Sequence, residues 1–290
     1  MSTSQLLSML VEHVAIQLGA DVVGVTSLGG GDVALSFRLD LEDGRRVFAK
    51  THASPPPHHF STEAAGLEWI RGVSDLGVPE VLAVSDAPPF LVLEWVEEGN
   101  ATVAREGMLG RGLASLHRAG AHSFGREDRR STGSRGLPNE PCATWAEFYA
   151  TQRLLPLAGL AKDGRALDDR AIRDLECVAG RLDELGGGPE PAARLHGDLW
   201  AGNRLRGDDG RHWLIDPAAH GGHREFDLAM MRLFGGFGSE CFAAYHEVFP
   251  LGEGWRERVP LHQLAPLVVH AIKFGGSYPA AVEDALATFA

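Results

Sequence analysis

The chain is poor in cysteine and in basic residues, and it holds no long apolar run. Its three cysteines, Cys142, Cys177 and Cys241, are odd in number and far apart. That argues against a disulfide framework and fits a reducing compartment, with the three as buried filler. No apolar stretch approaches the roughly 20 residues of a membrane span. The N-terminal residues Met1 to Gln5 lack the basic flank and apolar core of a signal peptide. A cytoplasmic protein with no membrane partner is therefore expected. Lys and Arg number 27 against 39 Asp and Glu, a formal net charge of -12. Phosphate backbones would be repelled, so nucleic acid is not expected as a partner. What the chain does have is core material: 44% of its 290 residues are hydrophobic, enough for one large domain or two lobes.

The densest chemistry lies in residues 195–216. His196, Asp198 and Asn203 follow the spacing H-x-D-x-x-x-x-N, and Asp216 closes the apolar run 213–215, which reads as a strand. A phosphotransferase catalytic loop uses this pattern. Its Asp takes the proton of the attacking hydroxyl, its Asn holds a metal, and an Asp after the next strand holds the metals on the nucleotide phosphates. An Asp and an Asn that merely cap turns need no such register. His196 is expected to brace the loop rather than to act as acid or base.

Upstream, Leu6, Leu7, Leu10, Val11, Val14, Ala15 and Leu18 recur at helical spacing behind Ser4, the expected N-cap. Strands are predicted at 22–25, 33–41 and 47–50, the last two joined by the turn Asp43-Gly44. Between the first two lie Gly29, Gly30 and Gly31, whose backbone N–H groups can approach a phosphate and whose φ can turn positive without strain. Lys50 ends the third strand, where a kinase places the lysine that reaches the α- and β-phosphates. The helix predicted over 61–70 offers Glu63 in its first turns as the partner of Lys50, with Glu68 as the other candidate. Strands at 80–84 and 90–94 complete a five-stranded antiparallel sheet with one helix. Residues 95–99 read as a connector whose backbone can hydrogen-bond an adenine, which assigns Glu94 and Val96 to the nucleotide site.

From residue 102 onward the pattern is helical, around 108–117, 143–157, 167–185, 227–234, 241–248 and 262–274, with a polar loop at 121–141. The fold class expected is α+β with two lobes, a small N-lobe over 1–95 and a mainly helical C-lobe over 96–290. The scattered histidines, His52, His58, His59, His220 and His223, are joined by no Cys or carboxylate at ligand spacing, and Mg²⁺ prefers oxygen ligands. A histidine metal centre is not expected. His223, Arg224 and Asp227 are expected to brace the loop after Asp216, and His223 is also a candidate substrate contact.

Residues 195–203, 215–217, 222–230 and 234–237 resemble the fructosamine (ketosamine-3-) kinases, which share the protein-kinase-like fold with the aminoglycoside phosphotransferases. Leu137-Pro138-Asn139, Trp145, Phe148 and residues 153–156 are similar to that family's middle segment, so the resemblance covers most of the chain. It implies ATP- and Mg²⁺-dependent phosphorylation of the 3-hydroxyl of a ketosamine, free or protein-bound, by a monomer or weak dimer acting in deglycation. Lys50 and the glycines would hold the phosphates, Asn203 and Asp216 the Mg²⁺, and Asp198 the acceptor hydroxyl. Trp200 is either a core aromatic, as large rings usually are, or a platform for the sugar or its protonated amine, a cation–π contact worth roughly 0.5–2 kcal/mol. Plant and animal members often carry a cysteine in the glycine-rich loop; residues 27–32 here have none, so redox control at that position is not implied. The alternatives are a kinase for an aminoglycoside- or choline-type amine and a non-catalytic nucleotide-binding regulator. The regulator would be expected to lack one of Lys50, Asp198, Asn203 or Asp216.

Overall fold

A computed structural model of the chain describes residues 2–29, 34–99, 103–128, 131–132, 136–186 and 188–289. Helix α1 (Thr3–Leu18) is capped by Ser2 rather than Ser4. Ser2 is the serine with a glutamine three residues on. Its hydroxyl accepts from the Gln5 N–H while Gln5 Oε1 accepts from the Ser2 N–H, a reciprocal pair that Ser4, followed by Leu7, cannot form.

Strands β1 (Val22–Leu28), β2 (Leu35–Leu41), β3 (Arg46–Thr51), β4 (Val81–Asp86) and β5 (Pro89–Glu94) form one antiparallel sheet in the order β1-β2-β3-β5-β4. Successive strand residues face opposite sides, and the cores separate accordingly. Val47, Ala49 and Val92 join Leu10 and Val14 of α1 on one side. Leu91 and Leu93 join Phe60, Ala64, Leu67 and Ile70 on the other. The latter four belong to helix α2 (His59–Ile70), which begins two residues before Ser61. Ser61 is committed elsewhere, donating through its hydroxyl to Asp86 at 2.6 Å.

Beyond the sheet the chain is mainly helical. Helix α3 (Val103–Arg118) leads to a small pair, β6 (Ser131–Thr132) with β7 (Leu137–Pro138). The single helix expected over 143–157 is instead α4 (Trp145–Tyr149), a π-helical turn (Ala150–Leu154) and α5 (Leu155–Asp163). Pro156 has no N–H for a carbonyl one turn back, and the wider turn ahead of it absorbs that loss. Helices α6 (Asp169–Gly180) and α7 (Leu182–Leu185) precede strand β8 (Ala193–Leu195). The ladder β9 (Arg204–Arg206) with β10 (His212–Leu214) follows, then β11 (His220–Gly222), which pairs back onto β8. Helices α8 (Glu225–Phe234), α9 (Ser239–Val248), α10 (Val259–Phe274) and α11 (Tyr278–Ala287) close the fold. Sequence periodicity had given no sign of α11.

One apolar cluster lies wholly among residues 124–286, another among 10–92, and the third joins α2 and β5 to Leu109 and Leu113 of α3 and Tyr245 of α9. Cys142 and Cys241 are buried as expected, but Cys177 is exposed on α6. Among the described residues no helix is long and apolar enough to cross a membrane.

Candidate active site

Asp227, in the first turn of α8, organises the loop that carries the H-x-D spacing. Fully buried, it accepts from the backbone N–H of His196 at 2.8 Å and of Gly197 at 2.9 Å, and lies 3.2 Å from His117 Nε2. Burial works against its charge, but these donors hold its carboxyl below the usual carboxylate range. Gly197 has φ +81°, and a Cβ there would lie 2.2 Å from the Ala218 carbonyl oxygen, so the loop admits only glycine. His196 is buried, with Nε2 3.0 Å from the Ile215 carbonyl oxygen and Nδ1 accepting from the Asp198 N–H. Both ring nitrogens are thereby used. Burial keeps the ring neutral, which makes it the brace that was expected.

The loop delivers Asp198 to a half-buried position. Burial first, and the charge of Asp216 second, push its carboxyl up to about 7. Asn203 donates through Nδ2 to the Asp198 carbonyl at 2.9 Å and to Asp198 Oδ2 at 3.1 Å. The amide nitrogen is thus engaged, which leaves the Asn203 amide oxygen as the atom that could serve a cation. Asp216 stands at φ +53°, a conformation a non-glycine residue adopts only under constraint, and its side chain is 45% exposed toward the cleft. Two oxygen donors on adjacent strand ends suit a hard divalent cation.

Lys50 reaches this group from the sheet. The alternation that sends Val47 and Ala49 toward α1 turns Phe48 and Lys50 to the other face. There Lys50 Nζ meets Glu63 Oε1 at 2.7 Å and donates to Asp216 Oδ1 at 2.7 Å. Burial opposes its charge, but the two carboxylates outweigh it and keep the ammonium protonated. Glu63 sits in the apolar stripe of α2, whereas Glu68 is exposed. The choice between the two carboxylates therefore falls to Glu63.

Between the sheet and the helical part lies a cleft of about 450 Å³. Ala34, Phe48, Leu93, Val96, Leu205 and Ile215 supply apolar walls, and Gly29, Lys50, Glu94, Asn203 and Asp216 also line it. This suits a planar base at one end and phosphates at the other. Gly30 and Gly31 lie outside the described residues. Trp200 is 41% exposed in the same cleft, meeting the Phe234 ring at 6.3 Å and 65°. A side chain on Gly202 would strike its ring at 2.3 Å. That exposure shows that Trp200 is not core filling and leaves its ring open to the cleft.

On the other side of Asp198 opens a pocket of about 140 Å³, whose lining includes Arg153, Gly197, His220, Phe226, Met230 and His270. Except for the possible metal role weighed for His220, sequence reasoning gave these residues no place in the site. They come from five separate elements, and no local spacing brings them together.

His223 is not part of either cavity. It is 2% exposed, its ring stacks on His262 at 5.1 Å, its Nδ1 accepts from the Glu225 N–H, and Nε2 lies 3.6 Å from Glu190. The substrate contact expected of it is therefore corrected to a structural one. The fold also places Glu225 against His223 and His262, with potential ligand atoms within 4.8 Å of one another, a grouping invisible in the spacing. Arg258 already grips both Glu225 oxygens, at 2.9 and 2.7 Å, so the group reads as a buried ion-pair network.

The sequence profile of the fructosamine kinase family matches residues 6–289. A protein described as a probable ketoamine kinase from Enterococcus faecium is 31% identical, over 94% of this chain and 97% of its own. The crystal structure of a proposed fructosamine-3-kinase from Thermobifida fusca is 41% identical and superposes with a TM-score of 0.89 over 96% of this chain and 97% of that one. A choline kinase from Streptococcus pneumoniae, 14% identical with a TM-score of 0.65 over 98% of each chain, shares the kinase-like fold alone.

Proposed function

The chain belongs to the fructosamine kinase family, and on that premise we propose that it is an ATP-dependent kinase acting on the 3-hydroxyl of a fructosamine or related ketosamine. The observation that carries the reading is the contact of Lys50 with both Glu63 and Asp216, with Asp198 and Asn203 beside it. Lys50, Asp198, Asn203 and Asp216, the four groups that phosphoryl transfer needs, lie together, and Glu63 steadies the lysine.

Lys50, fixed by Glu63, and the backbone from Gly29 through Gly31 neutralise the nucleotide phosphates, while Glu94 and Val96 border the base. Asn203 Oδ1 and the Asp216 carboxylate would hold Mg²⁺, which would supply charge neutralisation on the phosphates. Asp198 orients the acceptor hydroxyl and takes its proton as the oxygen bonds to the γ-phosphorus and the bond to ADP breaks. A carboxyl pushed toward neutrality by burial is a stronger base than an exposed one, which favours that proton transfer. Trp200 stacks on the sugar or its ammonium. The boundary near residue 95 separates the phosphate-binding sheet from the part carrying base and acceptor.

The test is ATP turnover with Mg²⁺ against a panel of ketosamines, an aminoglycoside and choline. Phosphorylation of a ketosamine at its 3-hydroxyl is expected. Turnover confined to choline or the aminoglycoside would overturn the acceptor assignment, and no turnover on any acceptor would overturn the kinase itself.

A further inference from the structure

The pocket beyond Asp198 contains a buried cation with no anion to match it. Arg153 is 4% exposed and lines that pocket. Its guanidinium donates to three neutral acceptors, the Pro138 and Gln152 carbonyls at 2.6 and 2.9 Å and Asn139 Oδ1 at 2.9 Å. An arginine has five N–H donors, so two remain. Among the described residues no carboxylate forms an ion pair with Arg153, and none is close enough to influence its charge. Buried arginines elsewhere in the chain are paired: Arg224 with Glu190, Arg204 with Glu106, Arg126 with Asp128. An unpaired buried charge is costly. Arg153 belongs to the π-helical turn, an irregularity that recurs at functional sites.

A second unpartnered group lines the same pocket. His220 is 1% exposed, with Nδ1 2.8 Å from the Ala218 carbonyl. That contact places the proton on Nδ1 and leaves Nε2 as a bare acceptor, and Nε2 has no partner. Phe148 ties the two groups together, with the Arg153 guanidinium 4.6 Å from its ring centre and the His220 ring stacked on it at 5.3 Å. The pocket thus offers one hydrogen-bond acceptor and one unbalanced positive charge.

Resting on the kinase reading above, we propose that this pocket selects ketosamines whose amine part carries a carboxylate, with Arg153 binding the carboxylate and His220 Nε2 accepting from a hydroxyl of the ligand. The acceptor class is then the adduct of a sugar with a free amino acid, in preference to an uncharged amine. A charge-assisted contact of this kind, about twice as strong as a neutral one, distinguishes such adducts from neutral analogues of the same size.

The experiment compares fructosyl-glycine with fructosyl-ethanolamine, which replaces the carboxylate by a neutral hydroxymethyl group, in steady-state assays of the full chain with ATP and Mg²⁺. The expected result is a KM for fructosyl-glycine at least about tenfold lower, with similar kcat for the two, since one lost charged contact is worth about that factor. In Arg153→Gln the KM for fructosyl-glycine should rise until the two adducts are alike, and Arg153→Lys should restore part of the difference. Equal KM values in the unmutated enzyme would overturn the proposal while leaving the kinase reading intact. An equal loss for both adducts in Arg153→Gln would also overturn it and make Arg153 a brace of the 137–139 segment. Phosphorylation of neither adduct by the unmutated enzyme would overturn both readings.

Discussion

Lys50 and Asp216, 166 residues apart in the sequence, meet through a 2.7 Å hydrogen bond across the cleft. The same ammonium touches Glu63, so one lysine ties the sheet and helix α2 to the segment after β10. If Glu63 sets the position of Lys50, Glu63→Gln should keep the fold and reduce kcat/KM for ATP about tenfold, the scale of one displaced charged contact. Glu68→Gln, at an exposed position, should change nothing. Steady-state kinetics with circular dichroism as a fold control check this, and full activity in Glu63→Gln would remove the role.

Asp198→Asn should lower kcat by at least the ~10²-fold typical of a lost general base and leave ATP affinity nearly unchanged. Asp216→Ala should do the reverse, weakening Mg²⁺-dependent nucleotide binding through loss of a carboxylate ligand. Nucleotide titrations with and without Mg²⁺ separate the two. Near-normal turnover in the first variant, or unaltered Mg²⁺ dependence in the second, would contradict these roles.

Asp227 touches no part of either cavity and acts through the backbone of His196 and Gly197. Asp227→Ala removes a buried anion from three donors, which should cost roughly 3–5 kcal/mol of stability and lower kcat by disordering the loop. Urea unfolding gives the first quantity. A variant with unchanged stability but lost turnover would move Asp227 from support to direct chemistry.

Trp200 is half-exposed, so Trp200→Ala should be neutral for folding. Loss of a stacking or cation–π contact of roughly 0.5–2 kcal/mol should raise the acceptor KM several-fold. If the KM for ATP rises instead, the indole serves the nucleotide.

Acid sensitivity follows from two buried imidazoles. Burial first, then the charge of Arg153, pushes His220 down to about 3, and burial with neighbouring His262 pushes His223 to about 4, from an ordinary 6.5. Their folded values are depressed, so their contribution is complete above pH 6.5 and shrinks as pH falls, because only the unfolded chain takes up the protons. At pH 5 each should have lost up to about 2 kcal/mol. Asp198 and Glu63, whose carboxyls burial pushes up to about 7, gain stability over the same range, so the loss is read as a difference: from pH 7.5 to 5 the urea midpoint of the unmutated chain should fall relative to that of a His220→Gln, His223→Gln double variant. A constant difference between the two midpoints over that range would contradict this.

The sheet, Lys50 and the loop from His196 to Asn203 were legible because each depends on local order: alternation in a strand, a fixed interval in a loop. Glu63 could be named but not separated from Glu68, since that choice depends on which face of α2 the sheet covers. The pocket holding Arg153 and His220 was not legible as a site, because its residues come from distant elements and the π turn that sets Arg153 leaves no periodic trace. His223 misled for the same reason. Its place in the sequence shortly after Asp216 says nothing of the buried network that claims it.

The apolar cluster shared by α2, β5, α3 and α9 has a thermodynamic meaning. Residue 95 directly follows β5, the last strand of the five-stranded sheet, yet Leu91 and Leu93 before it pack in one body with Leu109, Leu113 and Tyr245 after it. A chain cut there would leave two fragments with raw oily surfaces, each prone to clump when made alone. In the intact protein the two parts should therefore melt together, as one calorimetric peak, and occupancy of the cleft should raise the melting temperature of the whole chain rather than of its first third.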